Sequence, residues 1–397
     1  MAPRPHREGG EEDGVRPVQP AAGAHPGDGP HPRQDGVLTG RSRVGLREDR
    51  VDPSSPEISI LLPIRDAADT LDDCLASLVS QTFGDWECLA VDDGSGDATA
   101  AILRRWAKRD GRIRPLTAPG PGGIVVALEE ARRHARAGFL ARQDADDRSL
   151  PRRLEEQRHA LRAAPALAVL GCRTTDDGPI QPGMRRYLDW LGTCTDPDRC
   201  AREIWIESPI AHPTAMIRAP WLERVGGYRE RGWPEDYDLW LRIHRAGGGI
   251  ASLPEVHYVW RDRPGRLSRR DPRYGPDAFL RCRVHHLRRR LAERGLDRPL
   301  IVWGAGRDGR RLARAWEEER LRPGPAARPI EGFIDIDPRK IGRTRRGVAV
   351  RSFEESREVV PDAFLLVAVG VAGAREEIRS SLREAGLREE DDFFCLH

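Results

Sequence analysis

Three carboxylates close one short apolar run. Phe139 to Asp147 reads FLARQDADD, so Asp144, Asp146 and Asp147 follow a segment that reads as a buried strand. Carboxylates spaced i, i+2 on extended chain point to opposite faces. If the chain turns there, both can approach one ligand, one on a divalent cation and the other on a hydroxyl. Acid clusters also serve as solvated turns or helix caps, and Asp147 ahead of Arg148 to Leu150 fits a cap. A second acidic run, Asp92-Asp93-Gly94-Ser95-Gly96-Asp97, ends the apolar stretch WECLAV. A third, Glu235-Asp236-Tyr237-Asp238, follows a Gly-Trp-Pro turn and opens a helical pattern with Leu239, Trp240 and Ile243. An acid there is also what a plain helix N-cap looks like.

The elements around these acids alternate. ISILLPI, from Ile58 to Ile64, is a continuous β-branched run, the mark of a buried parallel strand. Leu71, Cys74, Leu75 and Leu78 then share a helical face, with Asp69 or Thr70 able to cap it. WECLAV, a helix over 98–109, a weaker strand at 113–116, a glycine-rich turn at 119–123 and a helix over 124–136 lead to FLARQDADD. Such alternation predicts a parallel α/β sheet, whose ligands bind outside the carboxyl ends of the strands. Asp92, Asp93, Asp144 and Asp146 would then share one edge. Four carboxylates around one crevice are costly unless a cation or several hydroxyls sit among them.

With these motifs in their order, residues 58 to about 270 resemble a family 2 glycosyltransferase of the GT-A fold, with a mixed, mainly parallel sheet. ISILLPIRDAADTLDDCLASLVSQTFGDWE resembles the opening element, ECLAVDDGSGDAT the nucleotide-binding turn, RQDADD the D-x-D metal motif and HPTAMIRAPWLERVGGYRERGWPEDYDLWLRIHRAG the acceptor-side segment. The resemblance implies inverting transfer of a sugar from a nucleotide-diphosphate donor to a glycan or lipid-linked acceptor, as in cell-surface polysaccharide synthesis. It assigns Pro63, Asp66, Asp92, Asp93 and Asp144 to the donor, with Asp93 on uracil or ribose and Asp144 on ribose. Asp146, with Asp144, would hold Mn²⁺ or Mg²⁺. Asp236 would be the base, with Glu235 its structural partner or an acceptor contact. Three departures stand out. Asp66 occupies a place where Asn is common, and Glu129 stands near another. The metal-binding His expected after the last strand is missing from Trp260-Arg261-Asp262-Arg263-Pro264. Asp262 would then take part, or Arg263 would neutralise diphosphate with its bidentate fork. His257 is a weaker alternative within a strand at 256–260. Trp190, Trp205, His212 and Thr214 are candidates for an acceptor floor, or for core.

Three further regions surround this one. Residues 1–55 have almost no aliphatics and are expected to be disordered. A basic helix over 276–294, within a connecting stretch 271–296, carries Arg288-Arg289-Arg290, which reads as a solvated face or a contact for anionic lipid at a membrane surface. Residues 297–397 read as a small Rossmann-like α/β domain. Gly304, Gly306 and Gly309 fit G-x-G-x-x-G between a strand and a helix, and Asp335 ends the next strand. Amides there can hold a pyrophosphate and Asp335 a ribose, which would suit NAD(P) or another nucleotide. The turn can equally serve packing alone. Rival readings are a bifunctional sugar-nucleotide enzyme with an NAD(P)-dependent half, a nucleotidyltransferase, and a non-catalytic scaffold.

Bulk composition narrows the classes. In 397 residues, 66 basic against 63 acidic side chains leave a net charge of +3, too little to point to nucleic acid. Seven cysteines without a C-x-x-C pair indicate neither a disulfide framework nor a zinc site and suit a reducing cytoplasm. The longest apolar run, Ala363 to Ala372, is short of the roughly 20 residues of a membrane span, and no signal peptide is visible.

Overall fold

The computed structural model describes residues 54–120, 122–178, 182–263, 265–371 and 373–397. The tail expected over 1–55 therefore lies almost wholly outside the described residues, as does Pro264.

Strand β1 (Ile58–Ile64) and strand β2 (Trp86–Asp92) are parallel neighbours, buried at every position but Pro63 and Asp92. Helix α1 (Leu71–Val79) connects them, burying Leu71, Cys74, Leu75 and Leu78 as its periodicity predicts. Helix α2 (Thr99–Arg109), strand β3 (Ile113–Thr117), helix α3 (Gly123–His134) and strand β4 (Phe139–Arg142) complete a parallel block ordered β3-β2-β1-β4. The block ends in acids at one edge, as expected.

Beyond β4 the sheet turns mixed. It continues through β7 (Met216–Arg218), β6 (Leu167–Asp176), β8 (Gly249–Trp260) and the two-residue β5 (Arg148–Ser149), eight strands in all. Strand β7 is antiparallel to both β4 and β6, and β8 runs parallel to β6. Helices α4 (Arg153–Ala163), α5 (Pro182–Leu191), α6 (Pro197–Glu203), α7 (Ala219–Arg224) and α8 (Glu235–Arg245) fill the connections. Asp147 is no helix cap: Arg148 and Ser149 pair with Val259 and Tyr258 of β8, and α4 begins only at Arg153. Pro151 cannot donate to a ladder or a helix interior, and it separates the two elements.

Pro63 explains how a proline lives in a central strand. Strand β4 pairs with β1 only from Ile58 to Leu61. Pro63 lies where β1 outruns β4, so its missing N–H costs the sheet no bond.

A short helix α9 (Leu267–Arg270) and the long α10 (Pro276–Glu293) lead to a second, smaller sheet of six strands. It contains β9 (Leu300–Trp303), β10 (Ile330–Ile334), β11 (Thr344–Arg345), β12 (Val348–Arg351), β13 (Phe364–Val367) and β14 (Phe393–Cys395), flanked by α11 (Arg307–Arg320) and α12 (Ala374–Glu384). Its order is β11-β12-β10-β9-β13-β14, parallel except at β11.

One apolar core joins the two sheets. Trp205 packs on Phe394 with ring centroids 5.0 Å apart, and Cys282, Val284, Leu287 and Leu291 of α10 are buried in the same cluster. The triple-arginine run is therefore only partly solvated: Arg289 and Arg290 keep some exposed surface, but Arg288 is 3% exposed, and its guanidinium donates to the carbonyls of Glu319, Arg322 and Pro325. Arg283, also buried, reaches the carbonyls of Ile206 and Leu396. Arg379 of α12 donates to Glu203 at 2.9 Å and to Glu389 at 2.9 Å, all three buried or nearly so. No described helix is long and apolar enough to cross a membrane.

Removing one partner of a buried ion pair typically costs about 3–5 kcal/mol, because the other charge stays behind. Arg379→Met should therefore lower stability by about that amount in urea titration. A variant as stable as the parent would show that Glu203 and Glu389 need no cation.

Candidate functional site

The site begins with a backbone conformation. Asp66 sits at φ +48°, a left-handed value that Asn and Asp adopt more readily than other non-glycine residues. Its Oδ1 accepts from the amide of Gly96 at 2.8 Å, and its own amide donates to Ser95 Oγ at 2.9 Å. Asp97 receives the amide of Ala68 at 3.0 Å and Thr99 that of Ala67 at 2.9 Å. The turn after β1 is thus knitted to the turn after β2. Either Asn or Asp can do this, which accounts for the first departure noted in the sequence.

Asp93 is 3% exposed and divides its carboxylate between the amides of Gly122 and Gly123, each at 2.9 Å. It anchors the start of α3, with Arg65 3.6 Å away on its open side. Asp92, partly exposed, accepts the amide of Ser95 at 2.9 Å.

The turn after β4 is the most charged place in the fold. A polar network supports it from beneath. Arg153, 1% exposed, donates to the carbonyl of Arg142 at 2.7 Å, to Gln143 at 3.1 Å and to Ser149 at 2.9 Å. The Tyr258 hydroxyl receives the amide of Asp144 at 3.2 Å. Two guanidinium groups then meet the acids. Arg142 lies 2.6 Å from Asp144, and Arg266 reaches Asp144 and Asp147 at 2.8 Å each and Asp146 at 3.5 Å. Burial pushes the Asp144 carboxyl up, but the charges of Arg142 and Arg266 outweigh it and hold it below the usual range. Asp146 is pushed up by burial, with Arg266 only partly offsetting. Asp147, with no exposed surface, is raised to about 7 by burial first. Its Oδ1 also accepts the amide of Arg261 at 2.9 Å, so it fastens the chain that carries Arg266.

Oxygen atoms of Asp144, Asp146 and Asp147 lie within 4.8 Å of one another. An all-carboxylate set suits a hard divalent cation such as Mg²⁺ or Mn²⁺. Asp146 is the member held most loosely by protein cations, so it has the most capacity to spare.

A chain of contacts leads from α3 to the N-terminus of α8. Glu129 accepts the amide of Tyr228 at 2.7 Å, and Gly227, at φ +66°, leaves the space its carboxylate needs. The Tyr228 hydroxyl is 3.1 Å from His212 Nε2, and His212 Nδ1 is 3.4 Å from Glu235. Tyr274 donates to the other Glu235 oxygen at 2.7 Å. Burial raises the Glu235 carboxyl, but His212 and Tyr274 outweigh it and bring it below its ordinary value. Asp236 next to it goes the other way: burial, then the Glu235 charge, push it well above the carboxylate range. Two adjacent acids driven apart in this way are suited to unequal roles, one a fixed anion and the other a proton acceptor. Arg142 and His212 lie between this pair and the Asp144 turn; each feels the charges of both Asp144 and Glu235.

Several expected residues lie elsewhere. Asp262 is paired with Arg269 at 2.5 Å, and Arg263 is exposed, its charge acting on Asp146 from further off. His257 faces Glu156 and Glu255 and not the three acids. Trp205 and Thr214 are fully buried, so neither floors an open cleft. Trp190 donates to Glu203 at 3.1 Å. In the second sheet, a side chain at Gly309 would meet the Gly304 carbonyl oxygen at 1.7 Å, and one at Gly304 the Ala368 carbonyl at 2.6 Å. Both glycines thus have packing reasons. A side chain at Gly306 would meet nothing. Asp335 accepts the Ala305 amide at 2.8 Å and pairs with Lys340 at 3.1 Å.

Arg142, Arg266, Tyr228 and Tyr274 escape a reading of sequence. Arginine is abundant throughout, and nothing local marks one that turns inward. Arg266 alone carries a signal, its nearness to the segment where a metal-binding His was expected.

The sequence model of glycosyl transferase family 2 matches residues 59–226. The putative glycosyltransferase EpsE of Bacillus subtilis is 30% identical over 230 residues, 56% of this chain and 80% of EpsE. The O-antigen biosynthesis protein RfbC of Myxococcus xanthus is 33% identical over 243 residues, 60% of this chain but 18% of RfbC. Residues 1–349 of TarS from S. aureus, solved with UDP-GlcNAc, superpose with a TM-score of 0.50 at 18% identity, covering 67% of this chain and 72% of that one, which shows a shared fold.

The strain at Asp66 is testable. Asp66→Asn should keep the parent's melting temperature within a degree or two, whereas Asp66→Val should cost about 1–3 kcal/mol by forcing a β-branched residue into a left-handed turn. Equal stability of the two variants in thermal melts would mean that the turn relaxes.

Proposed function

The chain belongs to glycosyl transferase family 2, and on that footing we propose that it is an inverting transferase that moves a sugar from a nucleoside-diphosphate donor to an acceptor hydroxyl in cell-surface polysaccharide assembly. The observation that carries the reading is geometric: Glu235, next to Asp236, is clasped by His212 at 3.4 Å and Tyr274 at 2.7 Å, and the oxygens of Asp144, Asp146 and Asp147 gather within 4.8 Å of one another at the strand edge. The names of RfbC and EpsE support the process and the enzyme class. The donor class is supported by the UDP-GlcNAc bound to the similarly folded TarS.

The chemistry is a single displacement. The acceptor oxygen forms a bond to the anomeric carbon as the bond from that carbon to the diphosphate breaks. The hydroxyl proton passes to Asp236, and the nucleoside diphosphate leaves with the electron pair. Glu235, held ionised by His212 and Tyr274, raises the proton affinity of Asp236 and so makes it a better base. Asp93, Asp92 and the Asp66 turn shape the nucleotide end of the cleft. Asp146, with Asp144, would hold Mn²⁺ or Mg²⁺, whose charge would offset that of the leaving diphosphate. Arg266 stands among the same carboxylates and supplies a second cation there. Its fork suits two phosphate oxygens once it parts from the acids.

Asp236→Asn should lower the transfer rate by at least about 10²-fold, the lower end of what general-base catalysis contributes, while donor binding persists. Transfer at the parental rate would remove Asp236 as the base. A base must be ionised to act, so with its pKa raised the parent's rate should fall as pH drops through that raised value. The acid limb of kcat/KM against pH belongs well above the ordinary aspartate value of about 3.9. Arg266→Ala should bind Mn²⁺ more tightly, by about tenfold or 1.4 kcal/mol, because a competing cation is gone, and should transfer more slowly. Unchanged Mn²⁺ affinity by calorimetry would show that the guanidinium and the metal do not share the acids.

A further inference from the structure

Helix α8 has a second charged face. Asp236 at its start points some 200° around the helix from Asp238, at about 100° per residue. Asp238, Arg242 and Arg245, spaced i, i+4, i+7, line a cavity of about 310 Å³ between α8 and α10. None of the residues of the candidate catalytic site borders it. Arg229, Arg231 and Arg289 complete its wall, and Glu293 is the only acid besides Asp238. Five guanidinium groups thus face two carboxylates.

The two carboxylates are already committed. Asp238 accepts from Arg242 at 2.7 Å, from His286 at 2.9 Å and from Trp233 at 3.2 Å. His286 is neutral, since burial brings it down to about 4, so its Nε2–H donates to Asp238 and its Nδ1 accepts from Arg245 at 3.0 Å. Cys282, whose thiol burial keeps protonated, packs against this pair. The trio is therefore a saturated hydrogen-bond knot and needs no metal. Glu293 is bound to Arg245.

What remains is an excess of donors. Arg242 is 8% exposed; its Nε goes to Asp238 and its Nη1 to the Val225 carbonyl at 2.7 Å, but its Nη2 is buried without a partner. Burial, and after it the charges of Arg229 and Arg231, work against its protonation even beside Asp238. Arg231 has no partner among the described residues, and it also presses on Arg289. A buried donor left unpaired costs about 1–3 kcal/mol, and more when charged. Like charges converging on one void add to that cost.

We propose that this cavity is a second binding site, taking a phosphate-bearing ligand on the side of α8 turned away from Asp236, one turn and more beyond Glu235. A phosphate group offers several oxygens and close to two negative charges, which suits guanidinium forks arriving from several directions. A single carboxylate would leave most of the excess uncompensated. The volume sits at the small end of ligand pockets, about 300–1,000 Å³, and suits a diphosphate or a sugar phosphate.

The test is calorimetric titration of the full chain with inorganic pyrophosphate in EDTA. Three proteins are compared: the parent, the Arg231→Ala/Arg289→Ala double variant, and Arg266→Ala as a control on the catalytic side. Both residues of the double variant reach solvent, so the fold should stand; a circular-dichroism melt checks it. The expected result is binding by the parent and by Arg266→Ala, weakened at least about tenfold in the double variant. A second arm sediments each protein with vesicles of phosphatidylglycerol. Vesicle binding that the double variant loses assigns the phosphate to a membrane lipid; pyrophosphate binding without vesicle binding assigns it to a soluble ligand. Equal pyrophosphate and vesicle binding by parent and double variant, or none by the parent, would overturn the site.

Discussion

A turn of carboxylates at the edge of a buried sheet exists only if cations converge on it, and in this protein the cations are guanidinium groups. Arg142 comes from the strand itself and Arg266 from the chain after β8, while Arg153 ties down the backbone beneath. Without them Asp144 and Asp147 would be buried anions with nothing to offset them, a state that costs several kcal/mol per ion. The strand order, the antiparallel pairing of β5 with β8 and the path of the chain past Trp260 all serve to bring these groups together. Arg266 completes this by lying 5.0 Å over the Trp260 ring.

Much of this plan is legible from sequence because period and punctuation agree. The run at Ile58–Ile64, the amphipathic helix after it and the acids closing two strands each imply the same parallel block. The candidate base stands where its turn and helix suggest, at the first turn of α8. What escapes is long-range and electrostatic. That Tyr274 hydrogen-bonds Glu235, or that Glu129 fastens Tyr228, depends on segments 39 and 99 residues apart meeting in space. Local patterns carry no record of such meetings.

Arginine obscures the rest. In a chain with 66 basic residues of which two are lysine, a triple-arginine stretch reads as solvent-facing. Yet Arg288 in that stretch is buried on three carbonyls, and Arg283 and Arg379 knit the second sheet to the first. Guanidinium groups serve here where other proteins use apolar packing or backbone caps, because one fork can satisfy several carbonyls at once.

One end of the segment from Arg261 to Gly275 touches Asp147 and Asp144 through Arg261 and Arg266; the other touches Glu235 through Tyr274. Both of its flanks, β8 and α10, are fixed in the core. Residues on this one stretch thus serve both acidic ends of the cleft, a guanidinium at the Asp144 turn and a phenol hydroxyl at Glu235.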